Sequence, residues 1–184
     1  GSRSDIERVP VANLRAFYEK YYQPDNAVLI VAGKFDDAAA LAPVEKTFGA
    51  LPKPARVLPS TYTVEPVQDG ERRVELRRNG EVYVVGLAYH TLAGSSPDFA
   101  AVDAALDILT REPSGRLYKK LVETKLAASL YGWTQQTHDP SLSQLYAQVR
   151  DAKNVDKVEQ IMEHEVEALG NAPVDAKELE RWRT

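Results

Sequence analysis

The chain has no cysteine among its 184 residues, which excludes disulfide scaffolds and thiolate metal sites. It has almost no charge imbalance: 23 Lys and Arg stand against 27 Asp and Glu, a net charge of -4. A nucleic-acid partner would call for a basic stripe, so none is expected. No apolar run approaches the roughly 18 residues of a membrane span, and no signal-peptide pattern opens the chain. Phosphate loops are missing as well. AGKFDD, residues 32–37, carries Gly33 alone, whereas a dinucleotide fingerprint needs three glycines at set spacing to admit the pyrophosphate. None of Ser95, Ser96, Ser114, Ser129, Ser141 and Ser143 sits in a G-x-S-x-G elbow, so nothing local supports a nucleophilic serine.

What is present is a hydrophobic fraction of 43%, enough for a core and too high for a disordered segment. Val11, Leu14, Phe17, Tyr18 and Tyr21 recur at helical spacing, and Pro24 with Asp25-Asn26 predicts the stop. Residues 27–32 are a continuous apolar run suited to a buried strand. Asp36 or Asp37 then caps a helix over 38–48 that ends near Gly49. Pro52, Pro54, Pro59 and Pro66 mark residues 51–70 as an extended connector. Two strands are expected at 72–78 and 82–91, joined by an Asn79-Gly80 hairpin turn.

Ser95-Ser96-Pro97-Asp98 starts a helix, and Ser114-Gly115 starts another with Leu117, Tyr118, Leu121 and Val122 on one face. Strands over 127–137 and 142–149 should pair antiparallel around His138-Asp139-Pro140. A long amphipathic helix over 155–169 stops at Gly170-Asn171, and Val174-Asp175 opens a last one. This order predicts an α+β fold, a mostly antiparallel sheet with helices packed on one face. Gly1-Ser2 reads as a tag scar, and KELERWRT closes the chain inside a helical pattern. Residues 3–184 are thus expected to be a single α+β domain excised from a longer multi-domain chain.

The metal question turns on QIMEH, residues 160–164, one residue from the inverted zinc motif H-x-x-E-H. Gln160 stands where the first histidine belongs, and an amide is a poor zinc ligand. Glu163, His164 and Glu165 therefore read as a solvated helix face opposite Val158, Ile161, Met162 and Val166. His90 and His138 have no partner identifiable from sequence, so structural roles are the default. Arg116, Lys119, Lys120 and Lys125 read as a solvated basic face balanced by Glu123. Tyr131, Trp133 and Gln135 alternate along one strand; packing is the ordinary reading of such a stripe, ligand contact the other.

Two stretches carry a family resemblance. FYEKYYQPDNAVLIVAGKFD, residues 17–36, resembles the segment opening the second domain of each half in the pitrilysin/insulinase zinc metallopeptidases. Tyr22, Pro24, Asn26 and Gly33 occupy that segment's Tyr-x-Pro-x-Asn turn and strand-end glycine. SGRLYKKLVETKLA, residues 114–127, resembles the family's S-R-L-Y-x-x-L-R-E-x-x-x-L-A helix, and the likeness spans nearly all of 5–184. The resemblance implies a chamber of four homologous α+β domains that encloses unfolded peptides, with zinc held by H-x-x-E-H plus a later Glu on the first domain. The corresponding helix here, near residues 99–109, has no histidine. The family's substrate-polarising Arg falls at Val122, and its Tyr falls near Ala128 or Ser129 unless Tyr131 takes its place.

The resemblance therefore implies a noncatalytic second domain, with no catalytic residue and no metal ligand of its own and zinc in the parent protein. Its expected partners are the zinc-bearing first domain of the same chain, a homologous second half or partner subunit, and a peptide substrate. Tyr131, Trp133 and Gln135 are the expected chamber contacts. The alternatives are a structural or assembly subunit of a relative that has lost peptidase activity, and a small-molecule-binding α+β module. The latter needs a pocket with converging polar groups, to which nothing in the sequence points. Compartment is open, with a periplasmic or secreted bacterial setting suggested by family habit alone.

Overall fold

The computed structural model describes residues 2–60, 64–172 and 174–183, and the chain divides into two units, 1–72 and 73–184. In the first unit, α1 (Arg3–Arg8) opens with a reciprocal capping box between Ser2 and Asp5. Helix α2 (Val11–Tyr21) follows, ended by a 3-10 turn at Pro24–Asn26. Its aromatics contact one another, Phe17 with Tyr21 at 4.6 Å and Tyr18 stacked on Tyr22 at 5.1 Å between ring centroids. Arg56 binds both oxygens of Asp25 at 2.9 and 3.0 Å, which ties the extended connector back to this turn. Asp36 caps α3 (Asp37–Phe48) by accepting from the Ala39 amide at 2.9 Å.

The strand expected over 27–32 is not formed. That run has no regular structure and enters no ladder, and Val28 and Ile30 are 88% and 82% exposed. A buried strand needs hydrogen-bonding neighbours on its edges. No described residue of the first unit is in a strand, and none is buried.

The second unit holds the sheet. Strands β1 (Tyr83–His90), β2 (Ser129–Thr134) and β3 (Leu142–Val149) lie in the order β1-β3-β2, all antiparallel. The expected strand at 72–78 and its Asn79-Gly80 hairpin are absent; these residues are irregular and exposed. Arg73 is instead drawn into an ion pair with Glu159 of α5 (Val155–Leu169) at 2.7 Å, and Arg77 pairs locally with Glu75. The remaining elements are α4 (Phe99–Thr110), a π-helical turn at Tyr118–Val122, and α6 (Ala176–Arg183). No described helix is long and apolar enough to cross a membrane.

Alternation along β3 explains the layering. Ser143, Leu145, Ala147 and Val149 are buried, while Gln144, Tyr146 and Gln148 point to the other face. The register sets Leu145 beside Leu87 and Gly132, and Ala147 beside Val85 and Leu130. On this face pack Leu106 and Leu109 of α4, Leu117 and Leu121 around the π-turn, and Val158 and Met162 of α5. The fold is the expected α+β layer with helices on one face of an antiparallel sheet.

Gly132 lets α4 approach this closely. A Cβ there would lie 2.6 Å from Thr110 Cγ2 and 2.8 Å from Leu106 Cδ2. The Gly132→Ala variant is expected to lose about 1–3 kcal/mol of stability, the usual cost of overpacking a filled contact. Chemical denaturation followed by circular dichroism measures it, and an unchanged midpoint would show that α4 yields freely.

Candidate functional site

The helices leave the second face of the sheet open. From β1 it presents Val84, Gly86 and Ala88, from β3 Gln144, Tyr146 and Gln148, and from β2 Tyr131 and Trp133. Tyr131 and Trp133 are 57% and 47% exposed. The pairing makes rows across the strands: Gly86, Tyr146 and Tyr131 in one, and Ala88, Gln144 and Trp133 in the next. The ring of Tyr146 lies over Gly86, where a Cβ would meet Tyr146 Cε1 at 2.8 Å. The Tyr146 hydroxyl donates to Gln144 Oε1, so ring and amide hold each other in place on the face. The chemistry offered is aromatic edges and side-chain amides with no charge among these residues, which suits an extended, uncharged segment.

Tyr131 and Trp133 thus stand side by side on one face, as their alternation requires. Gln135 lies just past the end of β2, where its Oε1 accepts from the Ser141 hydroxyl at 2.9 Å across the hairpin loop. Tyr146 and Gln144 were missed by the sequence reading. The period-2 pattern of β3 contains the signal, but only the pairing register shows which strand lies beside Tyr131.

Two charged clusters read from sequence as solvated are built into the fold. Glu165 is 5% exposed and accepts from Lys120, so it belongs to the packed side of α5 and not to a solvated face. Arg116 donates from Nε and Nη2 to the two oxygens of Glu178, at 2.8 and 2.6 Å. Neither basic residue is simply balanced by Glu123. The cause is tertiary: α5 and α6 bring carboxylates to the π-turn from 45 and 62 residues away. The Arg116 guanidinium, together with the Asp175 amide, lowers the Glu178 carboxyl to about 2, against burial that opposes it. Helix α6 is further held by Trp182 Nε1 donating to Asp103 at 3.1 Å and by Arg111 donating to the Arg181 carbonyl.

Helix α4, where the family's zinc motif would fall, carries Asp103 and Asp107 one turn apart, but both are engaged. Asp103 receives Trp182, and Asp107 pairs with Arg111 at 2.8 Å. Among the described residues, no three His, Cys, Asp or Glu side chains converge. His164 is exposed on α5, and His138 pairs with its neighbour Asp139 at 3.0 Å in the exposed loop. The residues present do not fit zinc.

The family model described as "Peptidase M16 inactive domain" matches residues 8–184. The zinc protease PqqE of Helicobacter pylori is 30% identical over 145 residues, covering 77% of this chain and 33% of that protein. The crystal structure of a protease from Helicobacter pylori superposes with a TM-score of 0.90 at 26% identity, over 98% of this chain and 44% of that one. The inactive peptidase domain solved from Bordetella parapertussis is 41% identical, with a TM-score of 0.51 over 59% of each chain. The chain spans about a third of the length of the curated relatives it matches.

Two outcomes follow. The Glu178 carboxyl has a folded value of about 2 against an ordinary 4.5, so its stabilisation is complete above pH about 4.5. It is lost as pH falls from there towards 2. The protection factors of the α6 amides, which remove the intrinsic pH dependence of exchange, are expected to fall across that window in the wild type, and to be already lowered and flat in Glu178→Gln. An α6 that stays equally protected in both would remove the ion pair from the account. Separately, after dialysis against trace zinc, elemental analysis is expected to find no zinc retained. One zinc per chain would instead assign His164 and its neighbouring carboxylates as ligands.

Proposed function

The chain belongs to the peptidase M16 inactive-domain family, and from that premise we propose that it walls the peptide chamber of a pitrilysin-like zinc peptidase. A domain carrying the zinc would be its partner, in the same protein or in an associated subunit. Zinc, when bound there, supplies Lewis-acid activation of water for peptide-bond hydrolysis. This chain's residues supply no part of that step, because α4 carries no ligand set. What they supply is surface.

The observation that carries the reading is the open sheet face. Helices cover one side of β1, β3 and β2, while exposed Tyr131 and Trp133 and the half-buried Tyr146 and Gln144 share the other. Uncovered aromatics on a rigid sheet give an unfolded peptide apolar contact area at little entropic cost, since the platform is already ordered. Side-chain amides can pair with a peptide backbone of any sequence. Such a surface holds polypeptide without selecting residue by residue.

The test is a titration of the isotopically labelled chain with an uncharged, extended, end-blocked peptide. Amide shifts are expected at Tyr131, Trp133, Gln144 and Tyr146. The Tyr131→Ser/Trp133→Ser double variant should weaken binding about tenfold, consistent with losing two aromatic contacts of roughly 0.5–1.5 kcal/mol each, while its melting temperature stays within a few degrees. Shifts confined to the α4 and α5 side, or an unaltered affinity in the double variant, would sink the assignment of this face.

A further inference from the structure

A second surface feature lies at the end of the sheet where β2 starts and β3 finishes. An open pocket of about 300 Å³ is lined by Val122, Leu126, Ala127, Ala128, Lys125, Arg150, Asp151 and Asn154. That volume is at the small end of ligand sites. Val122 and Leu126 pack against the hydrophobic core, and Ala127 is buried, so the pocket has an apolar floor. Its charge comes from Lys125 and Arg150.

The charges there do not cancel. The Asp151 carboxylate is already engaged, receiving Lys153 Nζ at 2.7 Å and the Lys153 amide at 3.1 Å. Neither Lys125 nor Arg150 has an ion pair or side-chain hydrogen bond among the described residues. Two cationic residues therefore line the pocket beside one neutralised carboxylate and an apolar floor. Lys125 also holds a backbone φ of 63°, a left-handed conformation that a residue with a Cβ adopts at a cost and that glycine adopts freely. A lysine at that position carries its cation to the pocket lining from a strained backbone.

We infer that this pocket binds a carboxylate carried on a short apolar stem. Arg150 matches a carboxylate bidentately and Lys125 adds a point charge, while Val122, Leu126 and Ala127 receive the stem. Phosphate is a poorer match, because the lining has no hydroxyl side chain and no glycine loop to surround a tetrahedral dianion. The carboxylate can come from the free C-terminus of a peptide or from a small organic acid. The inference does not depend on the chamber reading, since it involves different residues and a charged ligand.

The experiment is a titration of the labelled chain with N-acetyl-alanine, its carboxamide, butyrate, N-acetyl-dialanine and inorganic phosphate. N-acetyl-alanine is expected to shift the amides of Leu126, Ala127, Ala128 and Asp151, and the carboxamide is not. Lys125→Gly should weaken binding about tenfold, the loss of one charge-assisted contact, and Arg150→Gln by at least as much, since it removes a bidentate pair. Lys125→Gly should also melt at an equal or higher temperature, so its lost binding cannot be put down to unfolding. Tighter binding of N-acetyl-dialanine than of butyrate identifies a peptide end as the source, and equal binding identifies a small acid. The inference is overturned by equal shifts from acid and carboxamide, by no shifts from either, by unaltered affinity in Arg150→Gln, or by phosphate binding more tightly than any carboxylate. The uncharged end-blocked peptide reports on the sheet face alone, so the two surfaces stand or fall separately.

Discussion

The second unit depends on the alternation of one strand. Among the described residues β3 is the only strand bonded on both edges, and its residues at 143, 145, 147 and 149 are all buried. Because side chains alternate with period 2, burying that set commits Gln144, Tyr146 and Gln148 to the opposite face. A slip of one residue against β1 or β2 would carry glutamines and a tyrosine into the core. The register is held by the complementarity of Leu145 with Leu87 and of Ala147 with Val85 and Leu130.

The same constraint creates the open face. Helices α4 and α5 supply leucine, valine and methionine to one side only, so half of each strand is left uncovered. Gly132 on the covered side lets α4 lie close, while Tyr146 fills the space over Gly86 on the other. The covered face thus stabilises the unit, and the open face is free to present aromatic and amide groups. The polar frame around the helices works at longer range: Lys120 with Glu165 and Arg116 with Glu178 fasten α5 and α6 to the π-turn. Arg116 and Glu178 are mostly buried and form two hydrogen bonds, a geometry worth more than an exposed pair.

Much of the local structure was legible in the sequence. The α5 bounds, the Asp36 cap, the end of α2 before Pro24 and the β2–β3 hairpin all follow from capping groups, proline and period, which act within a few residues. The side-by-side placement of Tyr131 and Trp133 follows from alternation alone. The apolar run at 27–32 and the segment 72–78 read equally well as strands, yet they pair with nothing among the described residues. Strand formation needs a partner edge, and propensity cannot supply one.

The sequence by itself determined the family, the α+β class, the helix ends and which residues share a strand face. Those properties rest on short-range geometry and on motifs such as SGRLYKKLVETKLA. Only the tertiary structure decided that Glu165 is buried, that Arg116 belongs to Glu178, that Tyr146 stands beside Tyr131, and that Lys125 and Arg150 line one pocket. Each of these joins residues from separate elements. Their distance in space is set by how the helices pack on β3, and no local pattern carries that information.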